Sequence, residues 1–303
     1  MKETKKILIA NRGVIAIRAL RAAKELGYEV ASVYSTVDKD QKHLKLSDEA
    51  ICIGPGPAKD SYLNEAAIIA AAELANVDAI YPGYGFLAEN ASFAEKCNES
   101  GFKFIGPDPK VIEIMGDKIK AKELVSSLGI PIVPGYSGDI QSNEQMRSIV
   151  KGIGYPVIVK ATSGGGGKGM RIVNSEDELW DSIVSAQNEA KLAFGDDKVF
   201  IEKYLNKPRH IEIQVFGDGK GKAVHLYSRD CSLQRKYQKI LEEAPALNIS
   251  KEKLDEIQNI CVKACEEMNY KGAGTLEFLY ENGQFFLSLI HISEPTRHNA
   301  ISY

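Results

Sequence analysis

The sequence predicts an α/β protein that begins with a Rossmann-like domain, and three patterns support this fold class. An apolar run at residues 6–10, a helical pattern at residues 14–26 and a second apolar run at residues 29–34 form a βαβ unit. A strand, a glycine run and another strand follow one another within residues 156–173. Residues 209–216 alternate between polar and apolar, as antiparallel strands do. We therefore expect a parallel sheet, followed by a region built on antiparallel strands.

The length, charge and cysteine content of the chain restrict its class. Its 303 residues suffice for two or three domains. The formal net charge of −3 argues against nucleic-acid binding, which usually needs a basic excess. No apolar run approaches the length of a membrane span, and the N-terminus has no signal-peptide core. The five cysteines contain no Cys-x-x-Cys pair, which favours buried free thiols. We therefore expect a cytoplasmic protein without nucleic-acid or membrane partners.

Two loops follow predicted parallel strands, where ligands bind in open α/β sheets. The turn Asn11-Arg12-Gly13-Val14 lacks the Gly-x-Gly-x-x-Gly fingerprint, so we do not expect a dinucleotide there. The loop at residues 82–90 follows a short strand and can either face a site or serve as packing. Both interpretations of this second loop stay open.

The glycine run is the strongest local signal for a ligand. Four glycines at residues 164–167 lie between Lys160, at the end of a strand, and Lys168. Such a loop can place backbone N–H groups around phosphate oxygens, and the lysines add positive charge. The alternative is a flexible hairpin tip with two solvated lysines. A P-loop is excluded because Lys168 is followed by Gly169 and a strand. A glycine-rich hairpin that covers phosphates is typical of ATP-grasp enzymes.

Two further stretches carry polar groups suited to a site. His210, Glu212 and Gln214 share one face of the strand at residues 209–216. Residues 229–239 contain four cations, which predicts either a solvated basic loop or an anion-binding loop. Proline and glycine at residues 130–142 predict a linker, so the following α/β segment can form a mobile lid.

Magnesium bound with ATP normally needs one or two carboxylates in addition to phosphate oxygens. Glu277 is the best placed carboxylate, on the same strand face as Thr275. The next predicted strand, at residues 285–293, contains no carboxylate. The expected second metal ligand is therefore missing.

Taken together, several segments closely resemble the biotin carboxylase family. They are the glycine hairpin, Glu-Lys-Tyr-Leu, Pro-Arg-His-Ile-Glu-Ile-Gln-Val, Arg-Asp-Cys-Ser-Leu-Gln-Arg and Gly-Ala-Gly-Thr-Leu-Glu-Phe-Leu. The resemblance implies an ATP-grasp ligase that uses MgATP, with Mn²⁺ as a possible substitute, and bicarbonate to make carboxyphosphate. It then carboxylates biotin on a carrier protein for acetyl-CoA carboxylase, in fatty acid biosynthesis, or for related enzymes. The implied partners are that carrier, a carboxyltransferase subunit and a second copy of the chain.

The resemblance also implies roles for individual residues. Lys239 is the implied catalytic residue at the bicarbonate, and Glu277 the metal ligand. The implied nucleotide-binding residues are Lys118, Lys160, Gly166, Gly167, Glu202, Lys203, Tyr204, Leu205, His210, Gln234 and Tyr237.

The chain departs from the family pattern at two places. Tyr237 stands where many members have histidine. From about residue 287 onward the sequence no longer resembles the family. Leu289, His291 and Ser293 occupy the positions of the second metal glutamate, an asparagine and an arginine. We therefore expect residues 288–303 to be unrelated sequence, and the chain as written to bind ATP weakly and not to carboxylate biotin.

The resemblance implies five segments. They are a Rossmann-like domain at 1–116, a connecting helix at 117–130, an ATP-grasp lid at 131–204, a truncated ATP-grasp core at 205–287 and the tail at 288–303. Two other functions stay open. One is another ATP-grasp ligase, such as half of a carbamoyl-phosphate synthase, and the other is a non-catalytic nucleotide-binding chain.

Overall fold

The computed structural model describes residues 5–116, 118–140, 142–161, 170–235 and 238–292. The chain divides into two compact units. The first unit combines the described parts of Met1–Ile130, Ile211–Glu277 and Leu289–Tyr303. The second unit combines Pro131–His210 and Phe278–Ser288.

A five-stranded parallel sheet opens the first unit, in the strand order β3-β2-β1-β4-β5. The Rossmann-type opening predicted from the sequence is thus confirmed. The elements are β1 (Lys6–Ile9), α1 (Gly13–Glu25), β2 (Glu29–Tyr34), α2 (Lys42–Leu46), β3 (Glu49–Cys52), α3 (Glu65–Leu74), β4 (Ala79–Tyr81), α4 (Ala91–Glu99), β5 (Lys103–Phe104), α5 (Pro109–Gly116) and α6 (Lys118–Ser127).

Asparagine caps fix where two of these helices begin. The side chain of Asn64 accepts a hydrogen bond from the backbone N–H of Ala67 at the start of α3. Asn90 does the same for Phe93 at the start of α4. These bonds satisfy N–H groups that have no partner within the helix.

The second unit contains a four-stranded antiparallel sheet with the order β6-β9-β7-β8. Its elements are β6 (Gly135–Tyr136), α7 (Asn143–Ile153), β7 (Val157–Ala161), β8 (Met170–Val173), α8 (Leu179–Phe194) and β9 (Val199–Lys203). The antiparallel pairing of β7 with β8 confirms that the glycine run joins two hairpin strands. The glycines themselves lie outside the described residues.

The linker predicted at residues 130–142 needs correction, because it contains β6. Gly135 pairs with Glu202 of β9. A Cβ atom at Gly135 would lie 2.6 Å from the backbone oxygen of Ile201, so this pairing requires glycine. A strand of two residues beside a proline gives no periodic signal in the sequence.

The remaining strands form a five-stranded sheet in the order β12-β11-β10-β13-β14. The elements are β10 (Arg209–Asp218), β11 (Ala223–Arg235), β12 (Gln238–Glu243), α9 (Lys251–Glu267), β13 (Lys271–Glu281) and β14 (Gln284–Ile292). The basic loop predicted at residues 229–239 is wrong, because β11 runs through most of it and pairs with β12. Asn282 and Gly283, both with positive φ, form the predicted two-residue turn.

The structure also tests two predictions made from composition, namely buried cysteine thiols and no membrane-spanning segment. All five cysteines are free thiols, but Cys52 is exposed, whereas the prediction had them buried. Among the helices of the described residues, none has the length and apolarity that a bilayer crossing requires.

Candidate active site

A buried cluster of one lysine and two glutamates lies on the five-stranded sheet β12-β11-β10-β13-β14, on residues that belong to the first unit. Lys239 of β12 donates hydrogen bonds to Glu212 Oε1 of β10 and, at 2.9 Å, to Glu277 Oε2 of β13. The side chains of Lys239 and Glu277 are only 11% and 10% exposed, and that of Glu212 is fully buried. The long lysine side chain must therefore reach across β11 to contact Glu212 and across both β11 and β10 to contact Glu277.

Neighbouring polar groups hold Glu212 in place. Gln214 Nε2 donates to Glu212 Oε2 at 3.1 Å, and Thr275 Oγ1 donates to Gln214 Oε1 at 2.9 Å. The thiol of Cys231 donates to Glu212 Oε1 at 3.3 Å. Both oxygens of Glu212 are therefore engaged, and the carboxylate has one fixed orientation.

The polar face predicted for β10 thus has partners on three strands. Glu212 and Gln214 are buried, whereas the sequence pattern of alternation predicted a polar face exposed to solvent or to a site. Sequence reasoning missed Cys231 and the role of Thr275. The signal available for Thr275 was its two-residue spacing from Glu277, which places both on one strand face.

The charges of the cluster determine its protonation states. Burial by itself lowers the pKa of Lys239, but the charges and hydrogen bonds of Glu277 and Glu212 outweigh it and raise that pKa to about 12. Burial and the nearby Glu212 carboxylate raise the pKa of the Cys231 thiol. At neutral pH the cluster therefore holds an ammonium group and a neutral thiol.

Gln234 of β11 adds an unused donor beside this cluster. It pairs in register with Lys239 of β12. Its Nε2 atom is buried and has no hydrogen-bond partner among the residues that the structure describes. Because buried donors are normally satisfied, this atom needs an acceptor from elsewhere. A ligand atom could provide it, as predicted for Gln234, and this prediction stays untested.

In the second unit, two predicted nucleotide-binding residues form an ion pair. Lys160 Nζ of β7 lies 2.8 Å from Glu202 Oε2 of β9, and the Lys160 side chain is 32% exposed, against 7% for Glu202. The lysine Nζ also lies 5.9 Å from the centre of the Phe200 ring. Glu202 therefore orients a lysine whose side chain is still partly exposed.

Lys203 uses its side chain for a local structural contact. Its Nζ donates to the backbone oxygens of Gly154 and Tyr155, each at 2.9 Å. Its backbone N–H donates to Pro134 O, and that of Tyr204 to Pro156 O. Any nucleotide contact of the predicted segment 202–205 must then use other atoms, such as the backbone of Leu205.

The remaining predicted residues are placed only in part. His210 is half-buried at the start of β10. Lys118 begins α6, but its side chain lies outside the described residues, as do Gly166, Gly167 and Tyr237.

A resident metal ion finds little support in the described residues. No group of three His, Cys, Asp or Glu side chains there can hold one. Glu277 provides a single carboxylate, and one of its oxygens is bonded to Lys239. The donor set therefore does not suit a protein-held metal, although one carboxylate can contact a cation that arrives with a nucleotide.

The loops at the carboxyl ends of the parallel strands are bonded to each other. Asn11 Nδ2 donates to Pro82 O at 2.7 Å and to Tyr84 O at 3.0 Å. A Cβ atom at Gly83 would lie 2.6 Å from Ile15 and 2.9 Å from Asn11, so the loop fits closely. The packing interpretation of the loop at residues 82–90 is thus supported, without excluding a ligand on its exposed side.

A charged and aromatic cluster lies beside this loop. Asp38 accepts hydrogen bonds from Ser35 Oγ at 2.7 Å and from the hydroxyl of Tyr62 at 2.8 Å, and it pairs with Arg12 at 3.1 Å. Arg12 lies over the stacked rings of Tyr62 and Phe86. Burial acts to raise the pKa of Asp38, but the hydrogen bonds and Arg12 outweigh it and lower that pKa.

Comparison with known proteins agrees with this arrangement. The family model for the biotin carboxylase N-terminal domain matches residues 3–112. The model for the carbamoyl-phosphate synthase L chain, ATP binding domain, matches residues 117–294.

Sequence relatives are carboxylases. The chain is 56% identical, over 282 residues, to the biotin carboxylase of Haemophilus influenzae, and the match covers 93% of this chain and 63% of that protein. It is 51% identical to the methylcrotonoyl-CoA carboxylase subunit alpha of Glycine max, covering 91% of this chain and 38% of that protein. The chain thus spans less than two thirds of these relatives.

Solved structures of carboxylases are also similar. A Campylobacter jejuni biotin carboxylase, described as a complex with β,γ-ATP, superimposes with a TM-score of 0.87 at 47% identity, covering 98% of this chain and 67% of that one. The biotin carboxylase domain of Hydrogenobacter thermophilus 2-oxoglutarate carboxylase, in complex with MgADP, ADP and bicarbonate, gives 0.85 at 44% identity, covering 98% and 66%. With both family models and these identities in agreement, the chain belongs to the biotin carboxylase family.

Proposed function

We propose that the chain belongs to an enzyme that carboxylates biotin on a carrier protein, using ATP and bicarbonate. In the first step a bicarbonate oxygen attacks the γ-phosphorus of ATP and ADP leaves, which yields carboxyphosphate. In the second step a biotin ring nitrogen bonds to the carboxyl carbon of carboxyphosphate, the carbon–oxygen bond to phosphate breaks, and the departing inorganic phosphate takes the proton from that nitrogen. The observation that carries this proposal is the buried cluster of Lys239, Glu212 and Glu277 in a chain of this family.

Lys239 is proposed to hold bicarbonate. Its raised pKa keeps the ammonium group charged at neutral pH. Two of its three N–H donors are bonded to Glu212 and Glu277, and the third can be donated to an anion. Glu212, with both oxygens engaged, positions that ammonium group. Glu277 is proposed to face the cation of MgATP, or of MnATP, which enters with the substrate.

The residues that contact the nucleotide are also proposed. Lys160 has a partly exposed side chain whose ammonium group is oriented by Glu202, which suits contact with a phosphate group. The free Nε2 of Gln234 suits an acceptor on the nucleotide. Lys118, Gly166, Gly167, His210 and Tyr237 remain proposed from the family pattern, as do the backbone contacts of 202–205.

Partners and location are also proposed from the family. The enzyme would act with a biotin carrier protein and a carboxyltransferase subunit, as a homodimer in the cytoplasm. The relatives include proteins named methylcrotonoyl-CoA carboxylase and 2-oxoglutarate carboxylase, so fatty acid biosynthesis is one of several pathways compatible with the site.

A non-catalytic nucleotide-binding chain is a second candidate, favoured by one observation. Leu289 stands where a second metal carboxylate is expected, and His291 and Ser293 replace an asparagine and an arginine. A leucine cannot bind a cation, so we expect this chain to bind ATP weakly and to leave biotin unmodified.

One assay separates the candidates. The chain is incubated with MgATP, and ADP release is measured with and without bicarbonate and with and without free biotin. Bicarbonate-dependent release stimulated by biotin would show that this chain carries the proposed activity and would contradict the second candidate. Carbamoyl phosphate without any effect of biotin would instead identify another ATP-grasp ligase. Weak ATP binding with no turnover, detected by ligand-observed NMR, would support the second candidate for this chain. A variant that carries Leu289→Glu, His291→Asn and Ser293→Arg then tests whether these three residues are the cause of the missing turnover.

A further inference from the structure

The segment between β9 and β10 carries one of the proposed nucleotide contacts, the backbone of Leu205. Residues 204–208 follow β9, precede β10 and belong to neither strand. Their backbone N–H and C=O groups therefore need partners other than a strand ladder to hold one conformation. At one end of the segment, the N–H of Tyr204 donates to Pro156 O at 3.0 Å. The other end needs a further partner.

A carboxylate from a distant strand provides that partner. The backbone N–H of Lys207 donates to Glu281 Oε1 at 2.7 Å, although the two residues are 74 positions apart. Hydrogen bonds to carboxylates are shorter and stronger than those between neutral groups. Pro208 comes next, so residue 207 favours an extended conformation and residue 208 has no N–H to donate. The Glu281 side chain thus holds the end of the segment that leads into β10.

The hairpin that carries Glu281 is braced by aromatic side chains. The ring centre of Phe285 in β14 lies 5.8 Å from that of Phe278 and 4.6 Å from that of Tyr280, both in β13. Arg209, the first residue of β10, has its guanidinium carbon 5.9 Å from the centre of the same Tyr280 ring. Cross-strand aromatic pairs stabilise a hairpin, so the carboxylate of Glu281 stands on a fixed support.

The same hairpin is bonded to the beginning of the second unit. The backbone N–H of Leu287 donates to Pro131 O at 2.7 Å, and Leu287 pairs with Ile132 in an isolated parallel bridge. The hairpin end Phe278–Ser288 belongs to one compact unit with Pro131–His210. The hairpin is therefore anchored within the unit whose backbone it holds.

We propose that Glu281 is a positioning residue for nucleotide binding, because its bond to the Lys207 N–H fixes the backbone that presents Leu205 to the nucleotide. This inference rests on the proposed nucleotide contacts of residues 202–205. Fixed backbone donors and acceptors suit the uncharged base, whereas the ammonium group of Lys160 suits the phosphates. Glu281 should therefore affect the binding of a whole nucleotide but not that of a phosphate chain alone.

Two ligands and two substitutions in the 303-residue chain test this role. Glu281→Ala should weaken the binding of MgATP at least about fivefold, because a hydrogen bond that orders the site is lost. Inorganic tripolyphosphate with Mg²⁺ lacks the base, and its binding should stay unchanged. Saturation-transfer difference NMR measures ATP binding, and ³¹P line broadening measures that of tripolyphosphate. Glu281→Gln should retain more ATP affinity than alanine, because its side-chain oxygen can still accept the Lys207 N–H.

A matched control and a second measurement separate positioning from stability. Asp218 Oδ1 also accepts backbone N–H groups, from Lys220 at 2.7 Å and from Lys222 at 3.1 Å, at the turn after β10. No nucleotide contact is proposed at this turn, so Asp218→Ala should leave the affinity for ATP unchanged. Hydrogen exchange followed by mass spectrometry should become faster at residues 204–208 in Glu281→Ala and stay at the parent rate there in Asp218→Ala.

The inference about Glu281 is overturned if Glu281→Ala binds ATP like the parent chain. Equal losses of ATP and tripolyphosphate binding would also overturn it, since they would indicate a general loss of structure. Unchanged hydrogen exchange at residues 204–208, or an equal loss of ATP affinity in Asp218→Ala, would do the same. If the parent chain itself binds no ATP, the proposed nucleotide site fails, and the role of Glu281 fails with it.

Discussion

Lys239 Nζ lies 2.9 Å from Glu277 Oε2, although the two residues come from strands separated by β11 and β10 in the sheet. The same ammonium group also bonds Glu212. One cation therefore offsets part of the negative charge of two buried carboxylates, and its removal would leave them close together without a counter-charge. This relationship makes the candidate active site a determinant of stability as well as of chemistry.

Lys239→Met should lower the free energy of unfolding by about 3 kcal/mol, because breaking a buried ion pair leaves an uncompensated buried charge. Urea denaturation followed by circular dichroism measures the change. The matched control is Lys96→Met, which removes a 2.5 Å ion pair with Glu65 from a lysine side chain that is 54% exposed. That control should change stability by no more than about 0.5 kcal/mol. Equal effects of the two substitutions would contradict the structural role of the cluster.

Asp38 gives the fold a dependence on acidic pH. Its folded pKa is below the ordinary value of 3.8, so the folded state binds this proton less readily than the unfolded state does. The stabilisation it contributes is present above pH 3.8 and is lost as the pH falls through the folded pKa. The difference in thermal stability between the parent chain and Asp38→Asn should therefore shrink below pH 3.8. A difference that stays constant from pH 6 to pH 2.5 would show that the charge of Asp38 is not the cause.

The sequence predicts those elements of the fold that depend on their own residues, and it fails for elements that depend on pairing with a distant strand. The strands β1 and β2 are apolar runs flanking a helix of 3.6-residue period, so they were predicted from their own residues. The stretch 229–239 was wrongly predicted to be a loop, because the prediction rested on its charged residues and did not consider that β11 could pair with β12. Leu233 pairs with Leu241, and that pairing becomes visible only when both strands are placed.

The candidate site shows the same limit. Lys160 and Glu202 were each predicted to contact the nucleotide, but their ion pair joins residues 42 positions apart. It arises because β7 pairs with β9, and no spacing rule in the sequence predicts that register. Cys231 was missed for a similar reason, since its hydrogen bond to Glu212 crosses from β11 to β10.

Gly135 should not tolerate a side chain. Gly135→Ala would place a Cβ atom 2.6 Å from Ile201 O and 3.0 Å from the side chain of Glu202, so β6 would have to separate from β9. We expect a loss of about 1–3 kcal/mol, within the range of overpacking substitutions, in thermal or urea unfolding. Gly152→Ala is the control, because Gly152 lies in α7 with no atom within 4 Å of its added Cβ. That substitution should stabilise the chain by up to about 1 kcal/mol, since alanine favours the helix. A loss of stability at both positions would mean that glycine is not required by the β6–β9 pairing in particular.

Lys160 should contribute to ATP binding through its charge. The ion pair with Glu202 holds its ammonium group at the end of β7 while leaving it partly exposed, so it can meet a phosphate without a large desolvation cost. Lys160→Ala should weaken the binding of ATP about tenfold, because it removes one charge-assisted contact of about 1.4 kcal/mol. Saturation-transfer difference NMR with ATP detects weak binding and measures this change. Lys151→Ala, at an exposed position of α7, is the control and should leave ATP affinity unchanged. Lys160→Arg keeps the charge and should retain more affinity than alanine. If all three variants bind ATP like the parent chain, Lys160 does not contact the phosphates and its ion pair with Glu202 serves only the sheet of the second unit.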